Sequence, residues 1–378
     1  MGDENKDSIH SSLERDGEAI KRYALSLGFS AVGFAKAGRV SAEMETRMRR
    51  WLEDGGNADM AYMANYLDKR LDPRLLMPGL KTIVSVALNY TPAKHLSDGE
   101  PQISAYALGK DYHDVVKGKL RQLAAWIDEK KGHEELPHAY RVFVDTGPVL
   151  ERYWAVQAGL GWIGKNHQLI IPFAGSMFFL GELFLDFELP YDQPMESRCG
   201  RCHKCIDACP TGALRFNKSQ EGASHTKETA SHTKEAASHT KEENRSETAI
   251  GEFNASLCLS YQTIENRGQL TDEAKAAMGD MFYGCDRCQK ACPWNRFAKP
   301  NDTPELQPSD ELLHMTREKW KNLTEEDYRR LFKGSAVKRA KYTGIMRNIN
   351  AMGDKTPDDN HHADKQSLGN EAKTGDLH

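Results

Sequence analysis

Eight cysteines, all lying between residues 199 and 292, set the strongest limit on what this 378-residue chain folds around. Cys199, Cys202, Cys205 and Cys209 follow the pattern C-x2-C-x2-C-x3-C-P, closing at Pro210. Cys285, Cys288 and Cys292 follow C-x2-C-x3-C-P, closing at Pro293, and Cys258 stands alone between the runs. The first run has the spacing used to hold a pair of [4Fe–4S] clusters, in which the fourth cysteine of each run crosses to the other cluster. That rule assigns Cys199, Cys202, Cys205 and Cys292 to one cluster. It assigns Cys209, Cys258, Cys285 and Cys288 to the other, and no thiol is left over. A disulfide framework belongs to small secreted domains, whereas this chain is long and shows no secretory segment. Structural zinc sites usually come as two separated C-x2-C pairs, so zinc and inert thiols are weaker readings of the same residues. Clusters move one electron at a time, and the spacing therefore points to redox chemistry.

The length suffices for at least one full core and suggests two units. A formal charge of −4 and 39% hydrophobic residues describe an ordinary soluble protein, not one that coats nucleic acid. The N-terminus, MGDENKDSIH, is polar and acidic and reads as neither a signal peptide nor a membrane span. No run approaches the ~18 apolar residues of a spanning helix, so no membrane partner is expected. Free cysteines in cluster spacing without an export signal imply a reducing cytoplasm.

Residues 219–248 interrupt the cysteine-rich region with tandem heptamers, ASHTKET, ASHTKEA and ASHTKEE. Lacking large apolar residues they can bury no core, so a solvated surface insertion is expected. His225, His232 and His239 recur every seven residues, but a disordered loop holds no ligand geometry. The polar tail, 353–378, is expected to be disordered as well.

Before Cys199, helical and strand patterns alternate. Ile9–Leu27, Asp111–Ile127 and Leu150–Ala158 read as helices. Ala31–Ala35, Thr82–Leu88, Tyr140–Val144, His167–Ile171 and Met177–Leu185 read as strands. The expected fold is α/β (α+β): an α/β domain over 8–190, then a ferredoxin-like iron–sulfur domain over 191–300. A short C-terminal helical segment follows over 301–352, with helices at Glu325–Phe332 and Ala336–Ala351.

Three further features bear on chemistry. GLGWIG at 159–164 spells G-x-G-x-x-G, but these glycines follow a helix and lead to a strand, the reverse of a dinucleotide fingerprint. Gly159 reads instead as a left-handed helix C-cap. Asp145 closes the apolar strand RVFVD ahead of Thr146, Gly147 and Pro148. The residues alone favour a helix N-cap there. The alternative is a general acid kept protonated by an apolar pocket, with Phe143, Tyr153, Trp154 and Trp162 as candidate walls. Finally, 329–347 carries Arg329, Arg330, Lys333, Lys338, Arg339, Lys341 and Arg347 without an acidic residue. A solvated helix face is the first reading of that strip, and phosphate contact the second.

Taken with the segments DKRLDPRLLMPGLKTIVSVALNY at 68–90, YALGKDYHDV at 106–115 and VDTGPVLERYWAVQAGLGWIGKN at 144–166, the chain resembles the epoxyqueuosine reductases. CGRCHKCIDACPTGAL at 199–214, CLSYQTIENRG at 258–268 and YGCDRCQKACPWN at 283–295 carry the same resemblance, which runs from about Ser8 to Ala351 outside the insertion. It implies a cobalamin-binding α/β domain joined to a two-cluster domain. It also implies reduction of epoxyqueuosine to queuosine at the tRNA wobble position. Asp145 matches the family's proton donor, and burial beside the corrin is expected to keep its carboxyl protonated near neutral pH. By position, Arg70, Asp145, Leu169, Leu180 and Ser260 match cobalamin contacts, and Arg267 a tRNA-contacting loop. The implied partners are the anticodon stem–loop and an external one-electron donor, with the protein a monomer.

Two departures stand out. The insertion lengthens the path from Cys209 to Cys258, although closure cost grows only slowly with loop length. Longer family members also carry a C-terminal helical-repeat domain, where this chain has one basic helical segment. Two rival functions were weighed: another cobalamin and iron–sulfur reductase, such as a reductive dehalogenase, and a non-catalytic electron carrier. The first lacks its export signal here, and the second leaves the residues before Cys199 without a purpose.

Overall fold

The computed structural model describes residues 3–131, 139–214 and 251–352, so the heptamer insertion and the tail from 353 lie outside the described residues. The elements run α1 (Asp3–Ser26), β1 (Ala31–Lys36), α2 (Ala42–Glu53), α3 (Leu67–Leu71), β2 (Thr82–Asn89), β3 (Gln102–Ile103) and α4 (Tyr112–Lys131). Next come β4 (Tyr140–Phe143), α5 (Glu151–Gln157), β5 (Trp162–Ile163), β6 (Leu169–Ile170) and β7 (Phe178–Leu185). The second half carries α6 (Lys204–Asp207), α7 (Leu259–Ile264), α8 (Asp272–Met278), β8 (Met281–Tyr283) and α9 (Arg287–Lys290). It ends with α10 (Asp310–Leu313), α11 (Arg317–Lys321), α12 (Glu325–Leu331) and α13 (Lys341–Ala351).

The main sheet has the order β1-β2-β7-β4 and is antiparallel throughout. Its two central strands are buried on both faces, which is why TIVSVAL reads as a continuous apolar run. Side chains alternate between faces, as the pleat requires. Val84, Val86, Leu88, Phe179, Leu183 and Leu185 pack against α1 and α4, among them Ile20, Val116, Leu120 and Leu123. Ile83, Ala87 and Phe184 point the other way, to Trp154 and Ala155 of α5. Helix α4 approaches β7 at Gly181, where a Cβ would stand 2.8 Å from both Leu120 and Val116 side chains.

The expected strand His167–Ile171 is shorter than its pattern. Only Leu169–Ile170 pair, with Trp162–Ile163, in a separate two-stranded hairpin. The glycines of GLGWIG serve that packing. Gly159 ends α5 with φ +71°, and a Cβ on Gly161 would lie 2.0 Å from the Ile170 carbonyl oxygen.

The second half has its own core, built from Leu259, Met278, Phe282, Trp320, Phe332, Val337, Ile345 and Ile349. Residues 301–352 therefore pack in one body with 259–283. A parallel pairing of β3 with β8 brings Ile103 and Leu108 into the same core. Its helices start on side-chain caps: Thr271, Ser309, Thr316 and Thr324 each accept a backbone N–H three residues on.

Leu120 is fully buried between α4 and the sheet. Leu120→Ala is expected to cost about 2–5 kcal/mol, read as a lowered thermal midpoint with cluster content unchanged.

Candidate redox and catalytic site

The cysteines are carried on short, tightly turned elements. Cys205 lies in α6 and Cys288 in α9, and Cys258 is the residue from which α7 starts. All eight are free thiols. Burial, followed by the neighbouring thiols of Cys292, Cys199 and Cys202, pushes Cys205 up to about 11. Burial also raises Cys292, whose thiol neighbours are Cys199 and Cys202. Cys258 is pushed up to about 11 by burial, with Cys285 and Cys209 beside it. Cys288 is raised by burial and by Cys258, Cys285 and Cys209, with Cys205 next in range. Cys205 and Cys292 thus have Cys199 and Cys202 within electrostatic range, and Cys258 and Cys288 have Cys285 and Cys209.

Among the described residues, no group of three or more His, Cys, Asp or Glu closes on a single metal ion. A zinc site would need four ligands at about 2.0–2.3 Å from one point. Thiols that are neighbours without closing on one ion suit the wider Fe4S4 cube. Cluster ligands bind as thiolates, so loading the iron displaces thiol protons.

Asp145 stands just past β4 with φ +56°, in the left-handed region that non-glycine residues rarely adopt. It caps no helix: the residue preceding α5 is Leu150, and no side chain bonds there. Instead Asp145 Oδ2 accepts from Tyr112 Oη at 2.7 Å and lies 3.3 Å from His113 Nε2. His113 Nδ1 lies 2.6 Å from Asp111 Oδ1, so one imidazole links two carboxylates. Burial alone lowers His113, but its bonds to Asp111 and Asp145 outweigh that and raise it to about 9. The Tyr112 phenol, raised by burial and by the charge of Asp145, remains a donor.

The expectation that burial keeps Asp145 protonated is not met. Burial does push its carboxyl up, yet the bonds from His113 and Tyr112 and the charges of His113 and Arg152 hold it below the usual carboxylate range. The side chain is 60% exposed at its tip, which weakens the desolvation further. In this arrangement the transferable proton sits on His113.

The backbone of Asp145 is held from below, its N–H donating to Glu151 Oε1. Glu182, in the middle of β7, is fully buried, and no conventional donor reaches either of its carboxyl oxygens. Its neighbour is the Glu151 carboxyl, and two carboxyl groups can bond only through a shared proton. Burial, then the charge of Asp145, raises Glu151 to about 8, and burial with Glu151 raises Glu182 well above the usual range. Arg152 is exposed and stands within electrostatic range of Asp145, Glu151 and His167. Sequence reading missed Tyr112, His113, Glu151 and Glu182. The Asp-Tyr-His run at 111–113 was visible, but only the fold brings it to Asp145.

The remaining sequence-derived residues lie on two sides of the recess. Arg70 is 9% exposed, donates through Nη2 to Tyr62 O at 3.0 Å, and leaves its buried Nε without a partner. Its electrostatic neighbours are Tyr62, Asp145 and Glu151, which puts it on the same recess. Leu169 is buried and Leu180 half-buried in one apolar cluster on the α5 face of the sheet. Asn166 Nδ2 and His167 Nε2 are buried polar atoms without partners, an amide donor and the free nitrogen of a neutral imidazole. An apolar wall beside unpaired polar atoms fits a corrin ring edged by carboxamides. Ser260 is half-buried in α7, two residues from Cys258. Arg267 is exposed, and its guanidinium donates to the carbonyls of Ile264 and Arg339.

The basic strip is largely spoken for by acids outside its own window. Arg329 pairs with Glu325, Arg330 with Glu311 and Asp327, and Arg339 with Glu265. Arg347 donates to the carbonyls of Asn266, Gly268 and Gln262. Lys333, Lys338 and Lys341 are left exposed.

The chain is similar to known proteins over most of its length. The family model "Epoxyqueuosine reductase QueG, DUF1730" matches residues 70–146, a "4Fe-4S binding domain" matches 193–215, and a "4Fe-4S double cluster binding domain" matches 246–295. An epoxyqueuosine reductase of Cellulophaga algicola is 40% identical over 90% of this chain and 98% of its own length. A crystal structure of epoxyqueuosine reductase with an epoxyqueuosine-modified tRNA-Tyr stem loop superposes with TM-score 0.71 at 28% identity, covering 89% of this chain and 80% of that one. The enzyme from Streptococcus thermophilus gives TM-score 0.72 at 27% identity over 88% and 80%.

The buried pair gives a signed expectation for stability. A carboxyl raised in the folded state costs nothing below the ordinary value of 4.5, and its penalty grows until the pH passes about 8. Glu182→Gln should therefore gain thermal midpoint over the parent as pH rises from about 5 to 8. Equal midpoints across that range would place the pair's proton elsewhere.

Proposed function

Because the chain belongs to the epoxyqueuosine reductase family, we propose that it is an oxidoreductase converting epoxyqueuosine to queuosine at the wobble position of tRNA. The balance is one epoxide, two electrons and two protons in, and one alkene and one water out. Cys199, Cys202, Cys205 and Cys292 ligate the first [4Fe–4S] cluster, and Cys209, Cys258, Cys285 and Cys288 the second. The observation that carries this reading is the Asp111–His113–Asp145 relay, held in the same chain as the eight-cysteine module.

Arg70, Asp145, Leu169, Leu180 and Ser260 are the residues we assign to hold cobalamin. When bound, that group supplies low-potential cobalt chemistry fed by the clusters. The chain's own residues manage the protons. Asp145 and His113 share one proton, and such a pair titrates as a unit. Asp145 presents that proton to the epoxide oxygen, and His113, held by Asp111, replenishes it. Tyr112 orients the Asp145 carboxylate, and Glu151 fixes the backbone that carries it. Arg267 and the free lysines Lys333, Lys338 and Lys341 are assigned to the anticodon stem–loop, whose phosphates they suit.

Neither rival function accounts for as much. A carrier has no use for a relay aimed into a recess, and the 40% identical relative is an epoxyqueuosine reductase. No helix among the described residues is long and apolar enough to cross a membrane. Free thiols support a cytoplasmic setting, and we assign the protein as a monomer. We assign 8–190 to the corrin-binding unit and 191–300 to the cluster unit.

The deciding assay is anaerobic reduction of the reconstituted protein with cobalamin, followed by mass analysis of nucleosides from epoxyqueuosine-containing tRNA. Loss of one oxygen is expected, and unchanged tRNA despite tight cobalamin binding would send the search to another substrate. Asp145→Ala should lower turnover by about 10²–10⁴-fold while cobalamin and clusters stay bound. With His113 at about 9 as the proton reservoir, turnover should be sustained below that pH and fall as pH rises through it. His113→Gln should remove the limb.

A further inference from the structure

The electrons for this chemistry must enter from outside, and one surface is built differently from the rest. Phe173 is 66% exposed and sits at φ +57°, at the tip of the turn that Ile171 and Gly175 close. A bulky aromatic residue in the left-handed region costs conformational energy and hides little surface. It stands edge-on to Trp294 at 5.8 Å and to Phe297 at 5.5 Å. Behind it Trp294 meets Trp162, and both pack in one cluster with Cys292 and Cys199. The aromatic patch is thus the outer wall of the first thiol quartet, whose Cys202 is itself exposed. The second quartet has no exposed member.

The sequence flanking the patch is basic. Residues 193–205 and 293–300 hold Arg198, Arg201, Lys204, Arg296 and Lys299 against one acid, Glu196. Arg198 lies over the Trp162 ring at 5.9 Å and Arg296 over Phe297 at 4.6 Å. Among the described residues, none of these five cations has an acidic partner, whereas Arg329, Arg330 and Arg339 of the C-terminal strip are all paired. Unpaired charge around an apolar centre is the anatomy of a small, transient interface, with its rate set by electrostatic steering.

We propose that the surface centred on Phe173, Trp294 and Phe297, rimmed by Arg198 and Arg296, docks an acidic one-electron carrier protein that reduces the cluster of Cys199, Cys202, Cys205 and Cys292. The carrier gives up one electron per encounter and leaves oxidised by one unit. Two encounters supply the pair of electrons that one epoxide consumes. The contact rests on the two-cluster reading but not on the identity of the substrate. It belongs with the weak electron-transfer interfaces, which bury less than about 1,200 Å².

The test reads the clusters, not the tRNA. Reconstituted protein is mixed anaerobically with a reduced plant-type [2Fe–2S] ferredoxin, and bleaching of the [4Fe–4S] absorbance is followed by stopped flow at several salt concentrations. Dithionite serves as the non-docking reductant. Reversing the rim with Arg198→Glu and Arg296→Glu should slow ferredoxin-driven reduction about 10–100-fold and flatten its salt dependence. The dithionite rate and iron content should be unchanged. Lys299→Glu with Phe173→Ala, farther from the ligand cysteines, should act in the same direction if Arg198→Glu disturbs iron loading. Unaltered ferredoxin rates in both sets would overturn the proposal, as would an equal loss from Arg329→Glu on the C-terminal helix. Weakened stem–loop binding with an untouched ferredoxin rate would make the patch a nucleic-acid surface instead.

Discussion

A carboxyl group buried in an apolar sheet face must keep its proton, and much of the catalytic recess follows from that. Glu182 lies on the α5 face of β7 with no hydrogen-bond partner at either oxygen, and burial beside Glu151 raises its carboxyl well above the usual range. Glu151 in turn accepts the Asp145 N–H. That bond helps hold Asp145 at φ +56°, a conformation needing outside support. The strained loop turns the Asp145 carboxylate away from capping α5 and towards Tyr112 and His113 on α4. The Glu151 carboxyl, through the Asp145 N–H, thus helps set the direction of a carboxylate at the sheet's edge.

The cluster unit is tied to this layer by equally local means. The parallel pairing of β3 with β8 continues into a bond from the Ala105 N–H to Asp286 Oδ2 at 2.7 Å, between the ligand cysteines of the second quartet. Gly284 makes the approach possible, since a Cβ there would stand 2.1 Å from Ser104 Oγ. On the other side Gln289 bonds both Tyr90 and Ser176, and Asn295 bonds Ser176. The residues beside Cys285, Cys288 and Cys292 therefore hydrogen-bond to the α/β layer, and the distance from clusters to recess is not left to a flexible linker.

Legibility in the sequence followed the range of the interaction. The thiol quartets were readable because ligand spacing is a local property, and β2 and β7 because buried strands announce themselves in apolar runs. Helices α8, α10, α11 and α12 carried their Ser and Thr caps in plain view, yet only α12 was expected, because the short ones show too little periodicity to register. The catalytic surroundings were not readable. Glu182 looks like a solvent-facing strand residue until the sheet order buries it, and Tyr112 and His113 meet Asp145 across 32 or more residues. The charge of Asp145 was misjudged for the same reason: burial was inferable from its apolar neighbours, but the imidazolium that outweighs burial came from another helix.

Charge counted along the chain also proved a poor guide to charge available at the surface. The C-terminal strip contains seven cations and no acid within its window, but folding brings Glu265, Glu311, Glu325 and Asp327 to its arginines. What remains free there is three lysines. Around the first quartet a sparser set of cations stays unpaired, and two of them lie over aromatic rings that themselves pack about the ligand cysteines. A partner approaching from solution responds to the uncompensated field, not to the count. By that measure the cluster face attracts an acidic protein at least as strongly as the helical end attracts a phosphate backbone. Under the two proposals the faces divide the work, the first admitting electrons and the second seating the nucleic acid.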